Sequence, residues 1–305
     1  MLQHLAKEQV LSIVDYEGLI DSVSKALIKL HEGGGIAPPR FSTSIKGNWW
    51  GLMIGYVEGM GVGVKVVNLY PGNAAKGLET IHGLVILFNG DDGSPLVTID
   101  GGSLTGLRTA AASALSVKVT NASTKVLGFI GAGEQARYHA LVFSRVFKVE
   151  EAYVVSRGER RLSEFLNYLR GLGINGHRAG GVGEIIEHCG TIIIATTSTT
   201  PVLNVRPRPG EHVISVGAPK PVVEIDRGVL EGADCIIADN REAVLNEAGE
   251  DLSNLRLIDL SEALAGEVRC TVGNGYTIYK SVGFPILDVA AAHHIYTRYI
   301  SGVSR

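Results

Sequence analysis

One stretch constrains this chain more than any other. Val126-Leu127-Gly128-Phe129-Ile130 is a short apolar run, and Gly131-Ala132-Gly133-Glu134-Gln135-Ala136 follows it at once. A helix-forming segment then runs from Glu134 to Phe147. The glycine string fits G-x-G-x-x-A. Alone it is a weak signal, but a strand before it and a helix after it are the context in which it holds a dinucleotide. Gly131 makes the tight turn, Gly133 admits a pyrophosphate to the backbone, and Ala136 permits close helix–strand packing. The helix start at Glu134 and Gln135 supplies N–H donors to the anion. The plainer alternative is an ordinary strand-to-helix turn that uses glycine.

The alternation continues beyond this point. Ala152 to Val155 reads as a strand and Arg160 to Leu169 as a helix. Thr191 to Ala195, Val213 to Val216 and Cys235 to Ala238 are short runs apolar on both faces, as parallel strands covered by helices are. This predicts a doubly wound α/β domain. Before Thr120-Asn121-Ala122-Ser123 the texture differs. Asp15 is placed to cap a helix from Tyr16 to Leu30. Pro38-Pro39-Arg40 is a stiff lead-in, and strands follow over Trp49 to Val57, Val62 to Leu69, Leu84 to Phe88 and Leu96 to Ile99. Asn89 to Gly93 joins the last two as a hairpin. Gly101-Gly102-Ser103 reads as a break before an Ala-rich helix from Leu104 to Val119. Near the end, Tyr276 to Tyr279 is a strand and Ile286 to Ile300 a helix. A chain of 305 residues suits about two domains. The expected fold class is α/β: a Rossmann doubly wound parallel sheet over 120–285, plus a β-rich α+β domain over 1–119 to which 286–305 return.

Several function classes drop out. The net charge is -3, so no basic excess points to nucleic acid or an anionic membrane. Arg298 and Arg305 are too sparse for a polybasic tail. No apolar run is long enough for a transmembrane helix, and the N-terminus lacks a signal-peptide pattern. Cys189, Cys235 and Cys270 are odd in number, far apart and in no C-x-x-C pair. That argues against a disulfide framework or zinc ribbon and fits a reducing compartment, so the expected location is cytoplasmic. The histidines show no metal-ligand spacing.

The second strand of a dinucleotide fold ends in an acid when NAD is preferred, because the carboxylate takes the ribose 2′-OH. Here Tyr153-Val154-Val155 runs into Ser156-Arg157. A hydroxyl and a guanidinium suit a 2′-phosphate, which favours NADP(H) over NAD(H). The alternative is that Arg157 is a solvated helix-start residue and both cofactors bind. Thr196-Thr197-Ser198 and Val216 lie at carboxyl ends of predicted strands, the ligand side of such a sheet. The hydroxyls either contact the nicotinamide half or satisfy their own loop.

Four charged residues stand out elsewhere. Lys65 interrupts the apolar strand Val62-Gly63-Val64-Lys65-Val66-Val67. Arg108 lies about one turn into a helix among small residues, where a guanidinium suits a carboxylate or phosphate. Arg40 follows two prolines that preset its backbone. Each of these also reads as a surface ion pair. Asp226, soon after Ser215-Val216-Gly217, is either an acid/base or the N-cap of a helix from Arg227.

Together, Val64-Lys65-Val66-Val67-Asn68-Leu69-Tyr70-Pro71-Gly72-Asn73, Leu104-Thr105-Gly106-Leu107-Arg108-Thr109-Ala110-Ala111 and the glycine fingerprint, in that order, resemble the ornithine cyclodeaminase/μ-crystallin family over nearly the whole chain. The resemblance implies a homodimer whose first domain binds substrate and dimerises. It implies that Arg40, Lys65 and Arg108 gather around a substrate carboxylate. It also implies that Arg108, Thr80 and Thr109 lie near the cofactor, and that Asp226 and Lys65 serve as acid/base. The implied activity is an NAD(P)-dependent oxidoreductase on a small α-amino or imino acid, of the alanine dehydrogenase or ketimine reductase type. Ornithine cyclodeaminase and a μ-crystallin-like, non-catalytic NADP(H)-dependent carrier are the alternatives. Trp49-Trp50-Gly51-Leu52-Met53 offers no acid for a distal ammonium, which leans toward a small or cyclic apolar substrate.

Overall fold

A computed structural model describes residues 2–302; residues 303–305, Arg305 among them, lie outside the described residues. The chain divides into two compact units, Met1–Arg108 with Phe284–Arg305, and Thr109–Gly283. The division falls inside a helix, α3 (Gly101–Thr120), that the sequence reading assigned wholly to the first domain.

The first unit contains β1 (Gln3–Leu5), α1 (Lys7–Ile13), α2 (Tyr16–His31), β2 (Gly35–Ile36) and β3 (Phe41–Ile45). It continues with β4 (Asn48–Val57), β5 (Gly61–Leu69), β6 (Ile81–Phe88) and β7 (Pro95–Asp100), and the C-terminal helix Pro285–Ile300 returns to it. The sheet order is β1-β7-β6-β5-β4-β2, with β3 also on β4. All its pairings are antiparallel except β1 with β7. One face is buried under α2 and the C-terminal helix. On that face of β5 stand Gly61, Gly63, Lys65 and Val67. A Cβ on Gly63 would come within 2.9 Å of Val289 Cγ2, so the missing side chain lets the C-terminal helix lie close over β5. The opposite face carries an exposed cross-strand row, Leu52 on β4, Val66 on β5 and Leu84 on β6.

α3 (Gly101–Thr120) starts three residues earlier than its apolar pattern suggests. Gly101-Gly102-Ser103 is the first turn of the helix, not a break. Asp100 accepts from Ser103 N at 2.7 Å and Ser103 Oγ at 2.6 Å, satisfying donors that open a helix. Arg108 therefore sits about two turns in. Asp15 occupies the N-cap of α2, but its side chain makes no capping bond.

The second unit carries β8 (Val126–Ile130), α4 (Glu134–Val146), β9 (Glu151–Val155), α5 (Glu159–Gly171), β10 (Asn175–Arg178), α6 (Val182–His188) and β11 (Thr191–Ile194). Then follow β12 (His212–Ser215), α7 (Arg227–Glu231), β13 (Cys235–Ala238), α8 (Arg241–Glu247), β14 (Leu257–Asp259), α9 (Leu260–Leu264) and β15 (Thr277–Lys280). Its sheet runs β10-β9-β8-β11-β12-β15-β13-β14 and is parallel throughout. The strand order reverses between β8 and β11, the switch point at which such sheets bind ligands. Within this unit, buried Ser113 and Ser116 of α3 meet His139 Nε2 and His212 Nε2, each at 2.9 Å.

One expectation fails here. Cys235 and Cys270 form a disulfide, with Cα atoms 5.9 Å apart. The sequence separation hid this, because pairing of β13 with β15 brings the two segments together. Cys189 is free and buried. No described helix is long and apolar enough to cross a membrane.

Candidate functional site

In the first unit, Lys65 Nζ lies 2.7 Å from Asp288 Oδ1 and 3.5 Å from Thr105 Oγ1. Arg108 Nε donates to the same Asp288 Oδ1 at 3.1 Å. The Lys65, Arg108 and Asp288 side chains are only 1%, 6% and 3% exposed. Asp288 lies in the first turn of the C-terminal helix, which the close approach at Gly63 brings against β5. Burial lowers the Lys65 pKa to about 7, and the charges of Arg108 and Arg40 push the same way, against the attraction of Asp288. Arg40 packs its guanidinium over the Trp49 ring, 5.5 Å from the ring centre. Two buried cations thus share one carboxylate oxygen, with a third, Arg40, near enough for its charge to act on Lys65, and the other carboxylate oxygen, Oδ2, has no hydrogen-bond partner. Such an excess of buried positive charge suits an anionic ligand, and an ammonium poised near neutrality can give or take a proton.

Arg40, Lys65 and Arg108 are therefore brought together as the sequence suggested, while Asp288 was missed. Its signal was the same as that of Lys65, a single charge inside Pro285-Ile286-Leu287-Asp288-Val289-Ala290-Ala291. Thr80 stands just before β6, where its carbonyl accepts from Tyr70 N at 2.8 Å.

In the second unit the fingerprint forms the predicted turn. Gly131 has φ +109 and no room for a side chain, since a Cβ would sit 3.1 Å from the Ala195 carbonyl carbon. Gly133 is the opposite case: a Cβ there would meet nothing within 4 Å, so the backbone at the start of α4 is open to a ligand. Gly133 N-caps α4 with no side-chain bond, and the helix start behind it points its N–H dipoles toward the place an anion would take. Gln135 Oε1 is buried there without a partner. Ser156 is half-buried and Arg157 exposed at the end of β9. Glu159, the first acid beyond them, is held by Arg178, with Nη1 of Arg178 at 2.9 Å from Oε2. Thr109 is buried on α3. These features fit a dinucleotide.

Asp226 does not stand in this site as a free acid. Its side chain accepts from Gly228 N at 2.8 Å and caps α7, so the structure gives it to the helix. The buried acid here is Glu224. Its Oε1 accepts from Thr196 N at 2.6 Å and Thr196 Oγ1 at 2.9 Å, and its Oε2 from Ser215 Oγ at 2.7 Å and Gly217 N at 2.8 Å. Lys280 Nζ bonds Ser215 Oγ at 3.0 Å, Gly217 O at 3.2 Å and Glu250 Oε1 at 2.9 Å. Burial raises the Glu224 pKa, opposed first by the Lys280 charge. This network fixes Thr196 and Gly217, the residues that flank Thr197, Ser198 and Val216. Ser198 Oγ itself donates to Thr200 O at 2.6 Å, so this hydroxyl serves its own loop.

The model of the ornithine cyclodeaminase/mu-crystallin family matches residues 2–303. The Delta(1)-pyrroline-2-carboxylate reductase of Bacillus thuringiensis subsp. konkukian is 30% identical over 267 residues, 83% of this chain and 82% of that protein. Among solved structures, the Thermococcus litoralis Delta(1)-pyrroline-2-carboxylate reductase in complex with NADH and L-proline superposes with a TM-score of 0.91 at 29% identity, covering 100% of this chain and 99% of the other. An archaeal alanine dehydrogenase dimer with bound NAD gives a TM-score of 0.87 at 27% identity, covering 100% and 98%.

Proposed function

The chain belongs to the ornithine cyclodeaminase/mu-crystallin family, and on that premise we propose that it is a nicotinamide-dependent oxidoreductase acting on the C–N bond of a small α-amino or imino acid. The reaction is reduction of a cyclic imine such as Δ1-pyrroline-2-carboxylate, or of the imine formed from pyruvate and ammonia. The observation that carries this reading is the buried Lys65–Asp288–Arg108 cluster, with Arg40 beside it.

Arg40 and Arg108 bind the substrate carboxylate by charge-assisted hydrogen bonds. That fixes the Cα–N bond beside Lys65 Nζ. The hydride to Cα, or its acceptor in the reverse direction, is the chemistry a nicotinamide would supply when bound. Lys65 gives a proton from Nζ to the imine nitrogen and is left neutral, then recovers a proton from water. A pKa near neutrality suits it to both directions. The substrate carboxylate favours the charged ammonium, which keeps the proton available while substrate is bound. Asp288 holds the ammonium in place through Oδ1. Gly131, Gly133 and the first turn of α4 take the pyrophosphate. Thr197 and Val216, beside the anchored Thr196 and Gly217, take the nicotinamide half.

The cofactor is NADP(H) in preference to NAD(H). Ser156 and Arg157 meet the adenosine ribose with a hydroxyl and a cation. Glu159 supports this by being tied to Arg178 rather than left to a 2′-OH. The active form is a homodimer built on the row of Leu52, Val66 and Leu84, an apolar face of the kind that covers itself with a second copy.

The test follows NADPH or NADH absorbance with pyrroline- or piperideine-2-carboxylate, and separately with pyruvate plus ammonia. Oxidation by either mixture supports the proposal. Silence with both, while ornithine yields proline and ammonia, replaces it with a cyclodeaminase. Cofactor binding without any turnover replaces it with a carrier.

A further inference from the structure

Alternate residues of β4 share a face, so Trp49, Gly51 and Met53 stand on the same side. Met53 pairs directly with Lys65, so this is the side that carries the catalytic ammonium. The Trp49 ring does not point away from the sheet. It lies along the strand over Gly51, where a Cβ would come 2.8 Å from Trp49 Cζ2 and 3.1 Å from Cζ3. Only glycine at 51 leaves room for the ring in that pose. The Arg40 guanidinium, whose charge is felt at Lys65, covers the same ring.

We propose that the Trp49 ring, seated on Gly51 and beneath Arg40, is the wall of the substrate side-chain subsite, and that it selects a compact apolar ring over an extended chain with a distal ammonium. This rests on the function proposed above and specifies its substrate class. A five-membered cyclic imino acid whose carboxylate is held by Arg40 sets its methylenes against the part of the half-buried indole that Gly51 and Arg40 leave uncovered. A short side chain such as a methyl group makes little of that contact. An extended diamino acid fares worst. No acid occurs in Asn48–Val57 or Gly61–Leu69, the two strands that floor the subsite. Asp288 Oδ1 is engaged by Lys65 and Arg108, and a second cation at its other oxygen would be repelled by both. A cation over the indole would meet Arg40, which already covers the ring and repels a second positive charge.

The experiment is calorimetric titration of the full-length protein, saturated with NADP+ or NAD+, with L-proline, L-alanine and L-ornithine. Wild type, W49F and W49A are compared, alongside kcat/KM for pyrroline-2-carboxylate and for pyruvate plus ammonia. Wild type binds L-proline at least tenfold tighter than L-alanine or L-ornithine. W49A lowers the proline-to-alanine affinity ratio and the cyclic-to-acyclic kcat/KM ratio at least tenfold. W49F keeps an aromatic ring over Gly51 and holds both within about threefold of wild type. If W49A does not fold, W49L, bulky but not flat, gives the same readout and lowers both ratios. Equal losses for all ligands overturn the proposal, because they show that Trp49 only supports Arg40 in holding the common carboxylate. Ornithine binding to wild type as tightly as proline overturns it too. A wild-type protein that neither binds nor converts any of these compounds overturns the function proposed above, and the subsite with it.

Discussion

Asp288 reaches across 223 positions of sequence to place Oδ1 2.7 Å from Lys65 Nζ. The same oxygen holds Arg108. One carboxylate thus keeps two buried cations in register, and its removal leaves them facing each other. D288N withdraws the attraction that raises the Lys65 pKa, which then falls below about 7. Imine reduction needs the ammonium form, so kcat/KM declines as pH rises through that pKa. In D288N the decline moves to lower pH, and activity at pH 7.5 drops at least tenfold. Breaking a buried pair from one side also costs about 3–5 kcal/mol of stability. A pH–rate profile identical to wild type would rule out Lys65 as the proton donor tuned by Asp288.

R157A tests cofactor choice. If the guanidinium pairs with a 2′-phosphate, KM for NADPH rises tenfold or more while KM for NADH changes less than twofold. A charge-assisted hydrogen bond of about 1.5–3 kcal/mol accounts for that range. Equal loss of both cofactors would sink the preference for NADP(H).

How much of this was legible depends on where each signal lives. β8 matches its predicted span because a parallel strand buried on both faces is a continuous apolar run with sharp ends. β3 and β10 were invisible for the opposite reason. β3 is exposed along its whole length, and β10 is Asn-Gly-His-Arg at a sheet edge, so neither carries a hydrophobic pattern. Lys65 was legible because a lone charge in an apolar strand demands a partner. That partner was not, since nothing in local sequence links residue 65 to residue 288. Asp226 and Glu224 stand two positions apart, and the sequence reading weighed only Asp226. Only hydrogen-bond geometry shows that one caps a helix and the other anchors Thr196 and Gly217. The disulfide was lost to the same blindness about long-range contacts.

Glu224 gives a prediction that separates positioning from chemistry. It accepts four hydrogen bonds from Thr196, Ser215 and Gly217. E224Q replaces an acceptor oxygen with a donor, so at least one N–H or O–H is left facing another donor, at a cost of about 1–3 kcal/mol. The cofactor KM rises several-fold because the Thr196 and Gly217 segments loosen, while the pH profile, set by Lys65, stays in place. A shifted pH profile with unchanged cofactor KM would instead make Glu224 part of proton transfer.

The Cys235–Cys270 bond closes a segment with a sequence separation of 35. On the chain-entropy account, a loop of that length is worth about 4 kcal/mol. Cys235 opens β13, so the bond lies at the amino end of a parallel strand, away from the carboxyl ends where cofactor binds. C235S therefore lowers the denaturation midpoint, and the folded variant keeps its kcat within about twofold. A C235S protein with wild-type stability but altered kcat would reverse that assignment.

His139 and His212 set the response to acid. Both are fully buried, and burial lowers their pKa values to about 4 and about 3. Their Nε2 atoms meet Ser113 and Ser116 on α3, and Nδ1 of His212 meets Thr277 Oγ1 at 2.8 Å. An unfolded histidine titrates near ~6.5, so below that pH the unfolded chain binds protons that the folded chain refuses. The stability contributed by the neutral rings is therefore complete above about pH 6.5 and is lost as pH falls toward 4. Each ring costs up to about 1.4 kcal/mol per pH unit in that interval. H212Q keeps a polar group between Ser116 and Thr277 but cannot titrate. Its urea midpoint at pH 7.5 is lower than wild type, since the amide fits the site less well. Its loss between pH 7.5 and pH 5 is smaller, because one of the two proton-linked terms is gone. Parallel pH dependence in the two proteins would show that His212 titrates normally in the folded state.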